Sequence, residues 1–178
     1  NALSWGALIA SLEAGGARVT AIDLPGHGTN PDDAAKIDDL VDCAVAHLRT
    51  HSGKVHLVGH SLGAWVAAKV ASQIPESVSE VTLIAPAGCG PEVDAEFLRG
   101  MAEVEDMDQL RCLLTMLGPA AEATPDGAAA VMLKDLSRGR LHAVVNELLD
   151  GDVSHLDILP ILESIKDRLN VSAVIGIQ

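Results

Sequence analysis

A serine between two glycines is the residue of this sequence best suited to chemistry, in the segment Gly59-His60-Ser61-Leu62-Gly63. A serine hydroxyl is a useful nucleophile only where a base can reach it and an acyl carbon can approach it. The Gly-x-Ser-x-Gly pattern meets both needs when it forms a sharp turn between a strand and a helix, because that turn lifts Oγ clear of the sheet. The pattern therefore predicts nucleophilic attack by Ser61 on an acyl group.

The residues on either side supply the strand and the helix that such a turn needs. The apolar residues Val55, Leu57 and Val58 form a predicted strand before it, and alanines at helical spacing follow it over 64–71. We expect a strained backbone at Ser61, and we expect side chains in place of the two glycines to crowd the neighbouring strand or helix. The first free N–H of the helix, that of Leu62, is the expected oxyanion donor.

Composition and charge exclude several classes of function. The chain has 178 residues, 48% of them hydrophobic, which suits one globular domain. Its 12 basic and 25 acidic residues give a net charge of −13, which repels nucleic-acid phosphates and anionic membranes. No apolar run approaches the length of a membrane span, and no basic-then-apolar leader is visible. We expect a soluble, cytoplasmic protein that binds neither nucleic acid nor membrane.

The cysteines and histidines do not have the spacing of disulfide or metal sites. The three cysteines are odd in number and far apart, which predicts reduced thiols. Of the seven histidines, only His47/His51 and His56/His60 are four residues apart. The first pair runs into a loop and the second lies along a predicted strand, which does not favour a metal site. We expect no metal and no cofactor.

Strand-like and helix-like segments alternate along the chain. Short runs rich in β-branched residues predict buried parallel strands at 18–24, 55–59, 81–85 and 171–175. Helical spacing of apolar residues predicts a helix over 34–50 and a second one from the serine turn to near Pro75. This alternation indicates an α/β fold with right-handed crossovers.

The interval 91–169 breaks the alternation. It is too long for one crossover, and turn signals at 118–119, 124–127 and 151–152 divide it into helical segments. Because it follows the strand ending at Ala85, we predict a helical insertion that caps the Ser61 pocket at the carboxyl ends of the strands. With two Trp, one Phe and no Tyr in the chain, the pocket is expected to be aliphatic.

Two motifs stand in chain order, Asp23-Leu-Pro-Gly-His-Gly28 after the first predicted strand and Gly59–Gly63 after the second. Together they resemble the α/β-hydrolase fold family. The stretches 84–90 (IAPAGCG) and 96–100 (EFLRG) are further similar to the hydrolase-like C-terminal domain of acetyltransferase components of acetoin dehydrogenase complexes. The resemblance implies a partial α/β-hydrolase domain over 1–178, with a mostly parallel sheet flanked by helices and 91–169 as its helical cap insertion.

The resemblance implies a role for each residue of the motifs. Ser61 would be the nucleophile, and the Leu62 N–H would be one oxyanion donor. His60 would be a neighbour of the nucleophile and not its base, and His27 would order its own loop. The implied activity is cleavage of an ester, thioester or related acyl substrate, a small molecule, through an acyl-serine intermediate.

The remaining family positions fall outside these residues. In the family the acid follows the strand represented here by 171–175 and the base histidine lies one strand later, so Gly176-Ile177-Gln178 fall where the acid-bearing loop begins. The family's His-Gly oxyanion turn would lie before Asn1. The resemblance therefore implies a domain that is incomplete at both ends and inactive by itself. Without the strand that carries this turn, the sheet would have a gap with unpaired backbone groups. Three explanations stay open: a truncated protein, ends left out of the sequence, or another copy of the chain that fills the gap in a homo-oligomer.

Alternative interpretations stay open at this point. Some family members carry the acid one strand earlier, which would point to Glu92 or Asp94, with His142 or His155 as the base. The function could also be acyl transfer within an acetoin dehydrogenase complex, or assembly by a non-catalytic hydrolase-like domain. A histidine after a further strand would favour the enzyme.

Overall fold

The computed structural model describes residues 1–90, 92–138, 140–151 and 153–175. The chain forms two compact units, one made of residues 1–35 with 96–145 and the other of residues 36–95 with 146–178. In the described residues the helices are α1 (Gly6–Ala14), α2 (Ile37–Leu48), α3 (Leu62–Gln73), α4 (Ala95–Glu103), α5 (Met107–Met116), α6 (Pro119–Glu122), α7 (Asp126–Leu136), α8 (His142–Leu148) and α9 (Leu159–Ile165). The strands are β1 (Val55–His60), β2 (Val78–Ile84), β3 (Leu149–Asp150), β4 (Val153–Ser154) and β5 (Asn170–Val174).

The second unit contains a parallel sheet in the order β1-β2-β5. Gly59 pairs with Leu83 in β2, and Val81 of β2 pairs with Val171 in β5. Helix α3 packs on β1 and β2 and contacts α2 and α9. The alanine face of α3 is buried, with Ala68 fully buried against this layer. A parallel sheet flanked by helices confirms the predicted α/β class.

Helix α2 shows why the sequence folds locally as predicted. Its apolar residues recur at helical spacing, and all of these are buried: Ile37, Leu40, Val41, Ala44, Val45 and Leu48. At its start the Asp39 carboxylate accepts a hydrogen bond from the Lys36 N–H at 3.0 Å. Acidic residues in this first turn also interact favourably with the helix dipole. The helix is therefore fixed by both its buried face and its first turn.

Residues 18–24, predicted to be a buried strand, form no strand, so that prediction is wrong. The segment has no regular secondary structure, and its residues are exposed or partly buried. It belongs to the first unit, whose described residues contain no strand with which it could pair. β-branched residues favour extended backbone, but a strand also requires the backbone of a neighbour for its hydrogen bonds. The other three predicted strands are present, with β2 beginning three residues earlier than expected.

In the first unit, helices α5 and α7 share a small apolar cluster. Its buried members are Val104, Leu110, Leu113, Leu114 and Ala129. The Arg111 guanidinium joins the two helices, because it donates to the Thr124 carbonyl at 2.6 Å and to Asp126 Oδ1 at 2.6 Å. The described part of 91–169 is mostly helical, and its role as a cap over Ser61 stays a prediction.

Candidate functional site

Ser61 is the single residue between β1 and α3. Its backbone has φ 54° and ψ −121°, and its side chain belongs to an exposed residue. An L-residue adopts a positive φ only at a cost, and it persists there because the surroundings determine it. The structure therefore has the strained, exposed serine turn that the sequence predicts.

The two glycines around Ser61 differ in what they do. A Cβ at Gly59 would meet the Gly63 carbonyl oxygen at 2.2 Å and the Ala64 Cα at 2.6 Å, so strand and helix touch there. A Cβ at Gly63 would meet nothing within 4 Å. The expectation that both glycines prevent crowding is thus right for Gly59 and wrong for Gly63. Gly59 is buried beneath the start of α3, whereas the missing Cβ of Gly63 would lie in open space.

Both backbone polar groups of Ser61 are hydrogen-bonded. Its N–H donates to the Ile84 carbonyl at 2.9 Å. Its carbonyl accepts from the Ala64 N–H at 3.0 Å and from the Ala87 N–H at 3.2 Å. By contrast, the Leu62 N–H has no acceptor among the described residues. The turn therefore combines a firmly held backbone with a free donor next to the hydroxyl, which is what an oxyanion requires.

The histidines of β1 do not form a base for Ser61 within the described residues. His60 is exposed at the end of the strand. His56 places Nε2 2.8 Å from Thr82 Oγ1 and Nδ1 3.5 Å from a Glu80 carboxylate oxygen, on the exposed sheet surface. Among the residues that the structure describes, no three His, Cys, Asp or Glu side chains form a group that could hold a metal ion.

The alternative acid and base residues are exposed. Glu92 forms an isolated antiparallel bridge with Val153, and the His155 N–H donates to the Leu148 carbonyl at 2.9 Å. No hydrogen bond joins the described side chains of Glu92 and His155, so the structure does not form that acid–base pair. Asp94 and His142 are exposed as well. The expected acid-bearing loop at 176–178 lies outside the described residues.

The Asp23–Gly28 turn is ordered by its own side chains. The Asp23 carboxylate accepts from the Thr29 N–H at 2.8 Å and from the Ala2 N–H at 2.6 Å. Burial raises the pKa of Asp23, but these hydrogen bonds outweigh it and the net pKa lies below its usual value. His27 Nδ1 lies 3.0 Å from the Pro25 carbonyl, and burial lowers its pKa. A neutral ring bonded to its own turn fits the ordering role expected for His27.

Sequence reasoning missed the residues that hold this turn from a distance. Asp135 Oδ2 accepts from the Gly28 N–H at 2.9 Å, and the Arg138 guanidinium donates to the Gly28 carbonyl at 2.7 Å. Both follow the turn by more than a hundred residues, at the end of α7 and just beyond it. A lone aspartate and arginine near a helix end give no sequence signal, so only the folded first unit could reveal them.

A strained serine turn on a parallel sheet flanked by helices defines a protein of the α/β-hydrolase type. The model of the alpha/beta hydrolase family matches residues 1–168, and the chain belongs to this family.

Relatives with related sequences include both transferases and lipases. The dihydrolipoyllysine-residue acetyltransferase component of the acetoin cleaving system from Pseudomonas putida is 31% identical over 156 residues, which cover 82% of this chain and 41% of that protein. A monoacylglycerol lipase from Rattus norvegicus is 32% identical over 98 residues, or 49% of this chain and 28% of the lipase. The chain thus spans less than half the length of these relatives.

Solved structures agree on the fold. A meta-cleavage product hydrolase from Pseudomonas fluorescens superposes with a TM-score of 0.71 at 21% identity, covering 97% of this chain and 65% of that one. At this identity the likeness concerns the fold. In the described residues, no helix combines the length and the apolar character needed to cross a membrane.

Proposed function

We propose that this protein is a serine hydrolase that cleaves an ester, thioester or related acyl substrate through an acyl-Ser61 intermediate. The observation that carries the proposal is the strained, exposed Ser61 beside the free N–H of Leu62. Strain in a backbone that is held from both sides is typical of a functional position. Membership of a hydrolase family supports the reaction class, while the residue roles rest on this geometry.

In the proposed reaction, Ser61 Oγ attacks the acyl carbon and passes its proton to a base. The carbonyl oxygen becomes an oxyanion that accepts a hydrogen bond from the Leu62 N–H. Collapse of this intermediate leaves the acyl group on Ser61 and releases the alcohol or thiol with a proton. Water then releases the acid by the same steps in reverse order. A histidine held by a carboxylate is the usual base in this chemistry. Among the described residues, the side chains of His27, His51 and His56 hydrogen-bond to groups other than the Ser61 hydroxyl.

Acyl transfer is the second candidate, because the Pseudomonas putida relative is an acetyltransferase component and matches 82% of this chain. In that reaction a thiol, and not water, would take the acyl group from Ser61. The two candidates share the acyl-serine and differ only in the acceptor. A third interpretation, a hydrolase-like domain that serves assembly without catalysis, would retain the turn without an activated hydroxyl.

Labelling of the full-length protein with a fluorophosphonate probe tests the proposal, because this probe reacts with an activated serine and not with a merely exposed one. We expect labelling in the wild type, its loss in Ser61→Ala and its retention in Ser52→Ala, where an exposed loop serine is removed. No labelling of a folded wild-type protein would contradict the enzyme and favour the assembly domain. Adding a dithiol acceptor to a p-nitrophenyl acetate assay then separates the candidates. A transferase would form acyl thioester faster than the Ser61→Ala control, which measures the uncatalysed reaction of the thiol with the ester, whereas a hydrolase would release only acetate above that background.

A further inference from the structure

The residues directly after β2 form a loop, Ala85–Gly90 (the 85–90 loop), that is tied to the serine turn. Ile84, the last residue of β2, accepts the Ser61 N–H at 2.9 Å, and Ala87 donates its N–H to the Ser61 carbonyl at 3.2 Å. The loop is also held at its start, because the Ala85 N–H donates to the Val174 carbonyl at 2.8 Å. The backbone of Ser61 is therefore held by β2 and by the loop that follows it.

The hydrogen bond from the Ala87 N–H to the Ser61 carbonyl also restrains the proposed oxyanion donor, the Leu62 N–H. The Ser61 carbonyl and the Leu62 N–H belong to the same planar group and point in opposite directions. A hydrogen bond that fixes the direction of the Ser61 carbonyl therefore also fixes the direction of the Leu62 N–H. Two helical N–H groups, those of Ala64 and Trp65, approach this carbonyl at 3.0 and 3.4 Å, and the Ala87 N–H adds a contact from outside the helix.

The 85–90 loop packs against residues 156–158, which we name the 156–158 strap. The Ile158 N–H donates to the Gly88 carbonyl at 2.9 Å. A Cβ at Gly88 would meet the Ile158 nitrogen at 3.1 Å and the Leu156 Cβ at 3.2 Å. Both strap residues are buried, with Ile158 at 0% exposure, so the strap has little room to retreat. Gly88 also has φ +84°, which a side chain would strain.

We propose that Gly88 is a positioning residue: by letting the 85–90 loop fit against the 156–158 strap, it keeps the Ala87 N–H on the Ser61 carbonyl and so aims the Leu62 N–H at the reacting oxygen. This inference rests on the proposed function. An added methyl group at position 88 pushes the loop away from the strap, and Ala87 moves with it. The Ser61–Leu62 peptide then loses its contact from outside the helix.

The test compares Gly88→Ala with Gly90→Ala in the full-length protein. Gly90 lies in the same loop, its φ is not positive, and a Cβ there would meet nothing within 4 Å. The readouts are kcat and KM for p-nitrophenyl butyrate, with kcat expressed per serine titrated by the fluorophosphonate probe, so that unfolded protein is not counted. Because an oxyanion donor acts in the transition state, its misplacement lowers kcat and leaves KM unchanged.

We expect kcat of Gly88→Ala to fall by up to about tenfold, because contacts of 3.1–3.2 Å displace the loop by less than the roughly 1 Å that costs about a hundredfold. KM should stay within about twofold of the wild type, and Gly90→Ala should be unchanged. A folded Gly88→Ala with the kcat of Gly90→Ala would overturn the inference, as would a change confined to KM. If Gly88→Ala does not fold, Ala87→Pro removes the donor directly and must show the same loss of kcat. An inactive wild type would contradict both the proposed function and this inference. An active wild type with an unchanged kcat in Gly88→Ala would contradict the inference alone.

Discussion

Replacing each of the two glycines beside Ser61 by alanine is expected to change stability in opposite directions. At Gly59 the new Cβ would lie 2.2 Å from the Gly63 carbonyl oxygen and 2.6 Å from the Ala64 Cα, both backbone atoms. At Gly63 it would meet nothing within 4 Å, and the backbone of Gly63 has no positive φ. The sequence motif treats the two positions alike, whereas the structure separates them.

The magnitudes follow from these contacts. Helix α3 would have to retreat from β1 by about 1 Å to admit the methyl group at position 59, and overpacking of this kind costs about 1–3 kcal/mol or more. At position 63, alanine restricts the unfolded chain and favours the helix, which stabilises by about 0.4–1 kcal/mol. For a chain of this length, 1 kcal/mol corresponds to roughly 2–4 °C in Tm. We expect Gly59→Ala to lower Tm by about 2–12 °C and Gly63→Ala to raise it by up to about 4 °C.

Thermal unfolding followed by circular dichroism, with both variants and the wild type in the same buffer, measures the difference. A Gly63→Ala protein that melts as early as Gly59→Ala would refute the reasoning, because it would mean that both sides of the serine turn are closely packed. A Gly59→Ala protein with unchanged Tm would equally contradict the close approach of strand and helix.

Two further predictions concern the first unit. The pKa of Asp23 is lowered in the folded state, so its contribution to stability is present above the unfolded pKa of about 3.9 and is lost as the pH falls through the folded value. Asp23→Asn should lower Tm by about 2–4 °C at pH 7, the equivalent of one hydrogen bond to Thr29, and this Tm difference should shrink as the pH falls and Asp23 becomes protonated. A Tm difference that persists unchanged in acid would contradict a role for the charge. Arg111→Lys should cost about 0.5–1.5 kcal/mol in urea unfolding, because its bond to the Thr124 carbonyl is lost. Asp126→Asn should leave the free energy of unfolding nearly unchanged, since that carboxylate is 100% exposed. An equal loss of stability in both variants would mean that the ion pair, and not the bond to the Thr124 carbonyl, stabilises the two helices.

The serine turn could be predicted from sequence because its determinants are local. A strand, a serine and a helix follow one another within about twenty residues, and the close approach at Gly59 is the reason for a glycine there. Helix α2 was predictable for the same reason, since the spacing of its own apolar residues defines the face that is buried. In both cases, the information lies within the segment that folds.

The errors arose where the outcome depends on a distant partner. Residues 18–24 have the composition of a strand, but pairing requires a second strand, and the described part of the first unit has none. The hydrogen bond from Gly28 to Asp135 joins residues 107 positions apart, and no local pattern announces it. At Gly63, the motif predicts that a side chain would be crowded, but no described atom lies within 4 Å of the added Cβ. Whether this space is filled depends on the path of the rest of the chain near the start of α3. Sequence spacing cannot supply contacts of this kind.

The position of β1 in the sheet explains why the loop after β2 bears so directly on Ser61. In the described residues, β1 is an edge strand whose only partner in the sheet is β2. Its side chains alternate between a covered face with Leu57 and Gly59 and an open face where Val58 is 42% exposed, so β1 is not buried on both sides as parallel strands usually are. The restraint on Ser61 must then come from β2, its following loop and α3. The Ile84 carbonyl and the Ala87 N–H both act from that side, and it is there that small changes should be transmitted to the nucleophile.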